Sequence, residues 1–196
     1  MNIKKFIIIL ILFNLQFNIS YSITPDAYVQ STVNRASEIL SKNISKKEKI
    51  NLLKIVAKDT VDIKGVGFYS LGSFRNNLNK DQKTKYLNLF ENYFLKSFSS
   101  RLSEYTNPKI KVIGKKVLNK NYTIVNSVLI ATSNRPEVKI DWRVYTKNPD
   151  SPLIRDLIIE GLSLARTQKE EFASILSSSN NDINILFDTL EEFSKN

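Results

Sequence analysis

The sequence predicts an α+β domain in which helices precede and follow an antiparallel sheet. Apolar residues recur at helical spacing from about residue 24 to residue 105, alternate with polar ones over residues 109–165, and then return to helical spacing. The chain has 196 residues, of which 42% are hydrophobic, and this suits one domain with a sizeable core. Helices packed on the apolar face of such a sheet leave a cleft between the two layers.

Three helical stretches open the domain. Thr24-Pro25 is typical of a helix start, because proline fits the first helical position, and apolar residues follow at helical spacing. Ser45 and Glu48 predict a capping box that begins a second helix. A third helical stretch covers about residues 66–78.

The longest predicted helix begins at Asn79 and is ended by Asn107-Pro108. Gln82, three residues after Asn79, completes an N-terminal capping pattern. One face of this helix carries an aromatic stripe, which consists of Tyr86, Phe90, Tyr93, Phe94, Phe98, Leu102 and Tyr105. Rings at this spacing fit a closed core, and they also fit the lining of a cavity for an apolar ligand.

Alternation predicts four strands in hairpin succession, at about residues 110–114, 122–130, 137–144 and 153–164. The polar clusters between them are typical of turns. Such a meander has one apolar face and one solvated face. The alternation assigns these side chains to the inward, apolar face: Val128, Ile130, Trp142, Val144, Ile158 and Leu162.

Two helices are predicted after the sheet. Thr167 and Glu170 have the spacing of a capping box, which would begin the first of them. The second carries its apolar residues at helical spacing between Ile183 and Phe193. We therefore expect the C-terminal part of the chain to cover the sheet together with the N-terminal helices.

The composition excludes a large part of enzyme chemistry. The chain contains no Cys and no His, so it has no thiolate nucleophile, no imidazole base and no zinc site built on these residues. No glycine-rich phosphate loop is present. A net charge of +10 fits an anionic partner, such as nucleic acid, lipid headgroups or an acidic protein surface, and it equally fits a composition biased towards Lys, Asn and Ile without any binding role.

Residues 1–22 are typical of a secretory signal peptide. Lys4 and Lys5 precede an apolar run over residues 6–13, and Ser20 and Ser22 are small residues placed for cleavage after Ser22. The run is too short to span a bilayer core of about 30 Å. We therefore expect an exported, mature domain over residues 23–196 that has no disulfide and no nucleic-acid partner.

Five segments together resemble the MlaC family, the toluene-tolerance periplasmic phospholipid-binding proteins. These segments are VGFYSLGSFR (66–75), the Asp-Gln pair at 81–82, DWRVY (141–145), DLIIEGLSL (156–164) and QKEEF (168–172). The most distinctive is the pattern aspartate-apolar-apolar-x-Glu-Gly-apolar-Ser. The resemblance covers essentially the whole mature chain, in order and behind a matching signal peptide.

The resemblance implies an NTF2-like or cystatin-like fold, with a curved sheet of about four strands and an apolar pocket between the sheet and the helices. It also implies a single phospholipid-binding domain that works as a periplasmic shuttle. The implied partners are phospholipid, an inner-membrane ABC transporter complex with an MCE-domain subunit, and an outer-membrane lipoprotein complex. The implied role is the maintenance of outer-membrane lipid asymmetry by a monomer without cofactor, metal or catalytic residues.

On this interpretation we expect the acyl chains to contact the apolar residues Phe68, Leu71, Phe74, Phe90, Phe94, Val128, Ile130, Trp142, Val144, Ile158 and Leu162. Each of these also fits a closed core. Arg75, Arg143 and Arg155 are candidates for the headgroup phosphate, and a solvated or ion-paired role fits each of them equally.

Two alternatives stay open at this stage. One is an exported NTF2-like enzyme that uses Asp156 or Glu160 in acid–base chemistry, since residues four apart in a strand face the same side. The other is a structural protein that an uncleaved N-terminus holds at the inner membrane. Lipid that copurifies with the protein and is not turned over would favour the carrier over the enzyme. The mass of the mature protein shows whether the N-terminus is cleaved and so tests the second alternative.

Overall fold

The computed structural model describes residues 23–195, so the predicted signal peptide over residues 1–22 lies outside the described residues. Six α-helices and five strands follow one another in these residues. The N-terminal elements are α1 (Pro25–Ser41), α2 (Lys46–Thr60), α3 (Ile63–Ser70), a 3-10 helix (Gly72–Asn76) and α4 (Lys80–Leu102). The sheet and C-terminal elements are β1 (Ile110–Asn119), β2 (Tyr122–Leu129), β3 (Val138–Tyr145), β4 (Leu153–Ile159), β5 (Leu162–Ser163), α5 (Leu164–Ser178) and α6 (Ile183–Lys195).

The α+β class and the antiparallel meander are confirmed. The strands lie in the order β1-β2-β3-β4-β5, so the sheet has five strands where about four were predicted. The fifth is a two-residue strand, because the predicted fourth strand turns back at Glu160-Gly161, whose φ angles are 48° and 85°. A positive φ costs glycine little, which explains Gly161 at this turn.

The helix starts follow the predicted capping residues with one exception. The Ser45 hydroxyl accepts from Glu48 N at 3.2 Å, and Asn79 and Gln82 exchange both bonds of a capping box. The helix predicted to begin at Thr167 instead begins at Leu164, with Ser163 as its N-cap. The prediction was wrong because the capping signal at Ser163 lies inside what was taken as the last strand.

The faces of β2 are the reverse of the prediction. Thr123, Val125, Ser127 and Leu129 are buried, so the odd-numbered residues point towards the helices. Val128 therefore lies on the outer face, and the side chain of Ile130 is 42% exposed. Both faces of this strand carry apolar residues, so alternation alone left its orientation ambiguous by one residue.

A bulge in β4 reverses the faces of that strand. Val144 pairs with Ile154 and Arg143 with Asp156, so Arg155 has no residue opposite it. Beyond the bulge, Leu157 and Ile159 lie on the inner face, opposite Trp142 and Ile140. The predicted inward residue Ile158 pairs with Asp141 on the outer face, and Leu162 is 56% exposed.

Aromatic rings from α4 and α5 form the centre of the core. Phe90 is 1% exposed, and its ring lies 5.7 Å from Tyr86, 6.1 Å from Phe94 and 6.2 Å from Phe172, between centroids. The backbone of α3 approaches this cluster closely at Gly67, where an added Cβ would lie 2.8 Å from Phe90 Cδ1. The aromatic stripe of the sequence is therefore core in its N-terminal half.

Two phenols, the buried Tyr86 and the half-buried Tyr28, make the fold sensitive to alkaline pH. Burial raises the pKa of Tyr28 to about 12 and raises that of Tyr86 further, and their hydroxyls donate to Thr60 O and Gly67 O. The unfolded chain loses these protons near pH 10. Above that pH the unfolded state binds fewer protons, so we expect the free energy of unfolding to fall by up to ~1.4 kcal/mol per pH unit for Tyr86. The half-buried Tyr28 contributes less, because solvent screens its phenol.

Urea unfolding from about pH 9 to about pH 11 measures this slope. Tyr86→Phe is expected to unfold with a shallower pH dependence than the natural sequence, while the two slopes coincide near pH 7, where neither phenol ionises. An unchanged alkaline slope in the variant would contradict the assignment.

Candidate functional site

A cavity of about 350 Å³ lies between the inner face of the sheet and the helices. This volume is within the usual range of ligand pockets, roughly 300–1,000 Å³. Its closed end is formed by buried side chains, which include Val61, Val66, Trp142 and Ile154. Its mouth lies beside the C-terminal half of α4 and the first turns of α5.

The walls come mainly from apolar faces of α1, α2, α4 and the sheet. Helices α1 and α2 contribute Val33, Ala36, Leu40, Leu53, Val56 and Ala57. Helix α4 contributes Phe90, Phe94, Phe98 and Leu102, and the sheet contributes Leu129, Ile140, Trp142, Leu157 and Ile159. A surface of this kind favours a hydrocarbon ligand, because it offers area for burial and few polar contacts.

The polar groups around the closed end are bonded within the protein. The Trp142 indole N–H donates to Ser127 Oγ at 2.8 Å, and that hydroxyl donates to Ile140 O. The hydroxyls of Thr32 and Thr60 donate to backbone carbonyls of their own helices at 2.9 Å and 2.7 Å. These groups need no polar atom from a ligand.

The mouth is more polar than the interior. Arg101, Tyr105 and Glu171 are exposed there, and Gln168 links the two sides, since its Oε1 accepts from the Tyr93 hydroxyl and its Nε2 donates to Glu171. The Arg135 guanidinium lies 4.8 Å from the centre of the Tyr105 ring. A ligand with an apolar body and a polar end would therefore present its polar end at this mouth.

Three of the predicted apolar residues line this cavity: Phe90, Phe94 and Trp142. Leu71 and Val144 are buried in the core away from it, and Phe68 and Phe74 lie half-buried around the end of α3. The remaining four lie on the outer face or are exposed, for the register reasons given above. They are Val128, Ile130, Ile158 and Leu162.

The three predicted headgroup arginines do not lie at the mouth. Arg75 is exposed on the 3-10 helix, and Arg143 lies on the outer face of the sheet. Arg155 lines the closed end, where it bonds Asp62 at 2.6 Å and 2.7 Å. Desolvation lowers its pKa, but the hydrogen bonds with Asp62 and with Tyr122 outweigh this and leave the pKa raised.

The carboxylates weighed for catalysis do not form a pair. Asp156 is buried, and its oxygens accept from Ser163 Oγ at 2.6 Å and from Ala165 N at 3.0 Å, at the start of α5. Glu160 is exposed and accepts from Lys139 N. The bulge at Arg155 and the turn after Ile159 separate these two side chains, so the expectation of a shared face was wrong.

The wall residues of α1 and α2 were missed as site residues. Their helical spacing marked Val33, Ala36, Leu40, Leu53, Val56 and Ala57 as inward-facing. Nothing in that spacing distinguishes a side chain in closed packing from one beside a cavity. The small size of Ala36 and Ala57 on apolar faces is the one signal that points to space nearby.

Comparison with known proteins agrees with this geometry. The family model described as MlaC protein matches residues 30–192, which is most of the chain. The chain belongs to the MlaC family. The resemblance seen in the five sequence segments is thereby confirmed.

A solved structure shares this MlaC fold. It is a phospholipid-binding protein from Ralstonia solanacearum in complex with a phospholipid, with a TM-score of 0.75 and 19% sequence identity, and the match covers 88% of this chain and 98% of that one. No curated protein matches the sequence. Among residues 23–195, none of the helices combines the length and apolar character needed to cross a bilayer.

Proposed function

We propose that this MlaC-family protein is a periplasmic phospholipid carrier. It shuttles phospholipid between an outer-membrane lipoprotein complex and an inner-membrane ABC transporter complex with an MCE-domain subunit, and so maintains outer-membrane lipid asymmetry. The observation that carries the proposal is the apolar cavity of about 350 Å³, which is closed at one end and open at a polar mouth. The phospholipid-bound structure of the Ralstonia protein supports the same conclusion.

The physical need for such a container is large. Exposing acyl chains to water costs ~0.8 kcal/mol per methylene group, so free phospholipid does not cross an aqueous compartment at a useful rate. In the proposed complex the acyl chains lie between α1, α2, α4 and the inner face of the sheet. Phe90, Phe94 and Trp142 contact them, together with the small side chains of Ala36 and Ala57.

We place the headgroup at the mouth, where Arg101 can meet its phosphate and Glu171 and Gln168 face its polar substituents. This assignment replaces Arg75, Arg143 and Arg155 as headgroup candidates. An exposed arginine contributes modestly to binding, so the apolar walls supply most of the affinity. We therefore expect a weak preference for headgroup type.

Native mass spectrometry of the exported protein, purified without detergent, tests the proposal. We expect a mature mass that begins at Ile23 and a near-stoichiometric phospholipid that departs on activation, with the headgroup identified by extraction from the same sample. A lipid-free protein that cannot be loaded from vesicles would overturn the carrier function. A mass that retains residues 1–22 would contradict the predicted cleavage after Ser22. It would not bear on whether the cavity binds phospholipid.

The alternative of an exported carboxylate enzyme receives no support from the geometry. Asp156 uses its oxygens to hold the start of α5, and Glu160 lies outside the cavity. Turnover of a bound lipid in the same mass-spectrometry sample would favour that alternative.

A further inference from the structure

The β1–β2 hairpin presents a strongly basic surface. Residues 107–136 contain five lysines, one arginine and no Asp or Glu. The lysines of the hairpin are Lys109, Lys111, Lys115, Lys116 and Lys120, and all five are exposed. Lys115 is paired with Asp26, while within residues 23–195 the other four have no carboxylate oxygen within 4.0 Å. One edge of the sheet therefore carries a cluster of positive charge with no acidic residue among it.

The same hairpin exposes large aliphatic side chains. Ile113 is 61% exposed, Val117 68%, Leu118 45% and Ile130 42%. Ile113 and Leu118 stand at the two irregularities in the pairing of β1 with β2, where a bulged residue projects from the regular ladder. Apolar side chains thus stand between unpaired lysines along an edge strand.

One end of the hairpin borders the cavity. Ile110 and Leu129, at one end of the ladder, line the cavity near its mouth, while Asn119 and Tyr122 form the turn at the other end.

We propose that the β1–β2 hairpin docks this protein on anionic phospholipid bilayers. Lysines near an anionic surface are attracted by its negative potential, and neighbouring aliphatic side chains gain free energy by shallow insertion among the headgroups. A fluid bilayer accepts side chains that project in several directions, whereas a protein partner would need a surface shaped to fit each of them. The docking surface is distinct from the cavity, and the proposal does not depend on the cavity's ligand.

Co-sedimentation of the mature protein with vesicles tests the docking surface. We expect binding to vesicles that contain phosphatidylglycerol, no binding to phosphatidylcholine vesicles, and loss of binding as salt is raised. The triple variant Lys111→Gln, Lys116→Gln and Lys120→Gln is expected to lower the partition coefficient about 100-fold, since each lysine contributes roughly fivefold near such a surface.

A matched triple variant separates the hairpin from the overall charge. Lys46, Lys47 and Lys64 are exposed on α2 and α3, and their replacement by Gln changes the net charge equally. We expect this control to reduce binding far less than the hairpin variant. Equal losses, or no binding of the natural sequence to anionic vesicles, would overturn the proposal, and the lysines would then serve to guard the free strand edge or to meet an acidic protein.

A second pair of variants tests the aliphatic contribution. Val117→Thr keeps the shape of a strand residue and removes apolar surface, while Ile55→Thr makes a comparable change at a side chain that is 55% exposed on α2. We expect a several-fold loss of vesicle binding for the first and none for the second. The same loss in both would overturn insertion by the hairpin.

Discussion

Replacing Ala57 by Trp is expected to abolish phospholipid retention while the protein stays folded. Ala57 is 2% exposed on α2 and lines the cavity, so an indole at this position occupies the space proposed for acyl chains. Displacing about four methylene groups costs the complex about 3 kcal/mol, which weakens retention about 100-fold. Lipid extracted per mole of purified protein measures the effect.

Two further variants make this result interpretable. Ser97→Phe adds a ring to the α4 wall of the same cavity from a half-buried position, and it is expected to lower retention as well. Ala27→Trp adds the same indole on the exposed face of α1, and it is expected to retain lipid fully. If Ala57→Trp remains folded with its full complement of lipid, the acyl chains do not lie in this cavity.

Replacing Phe90 by Ala is expected to destabilise the protein by about 3–5 kcal/mol, the usual cost of removing a buried phenylalanine ring. The ring touches four others, from Tyr86, Tyr93, Phe94 and Phe172, and it also fills the gap above Gly67. Its loss enlarges the cavity and removes the contact between α3 and α4. The free energy of unfolding in urea measures the change.

Phe68 provides the comparison for this prediction. It was also expected to contact lipid, but it is half-buried on α3 and does not line the cavity. We expect Phe68→Ala to cost about 1 kcal/mol and to leave lipid retention unchanged. A loss of stability as large as that of Phe90→Ala, or a loss of lipid, would show that the cavity extends along α3 beyond Val66.

The inward faces of β2 and β4 differ from the predicted ones for different physical reasons. In β2 both faces carry apolar residues, so Ile124 and Val128 competed with Val125 and Leu129 for the inward assignment. Only the pairing with Trp142 and Ile140 on β3, and the helices that cover those residues, decide which set is buried.

The error in β4 came from an extra residue. Regular alternation through Arg155 predicts that even-numbered residues continue to face inward after Ile154. The bulge at Arg155 shifts the order by one residue, so Leu157 and Ile159 follow Ile154 on the inner face. The bulge leaves the Arg155 side chain against Asp62 and over the Tyr145 ring, 3.7 Å from its centre. These partners are 93 and 10 residues away in the chain, and no local pattern reveals them.

The features of this protein that the sequence determines by itself are those that depend on local interactions. Helix caps such as Asn79 with Gln82, the change of hydrophobic period from helices to strands and back, and the motifs of the MlaC family all depend on residues close together in the chain. They were sufficient to predict the α+β fold, the antiparallel meander and the family.

The tertiary structure decided which of these residues surround empty space. Apolar spacing gives the same signal whether a side chain meets another side chain or the wall of a cavity, because both are removed from water. The cavity lies where α1, α2 and α4 meet the sheet, and Ala36 and Ala57 are among the small side chains of its walls. The space between these elements depends on distances between parts of the chain that lie far apart in the sequence, so it becomes visible only once they are packed together.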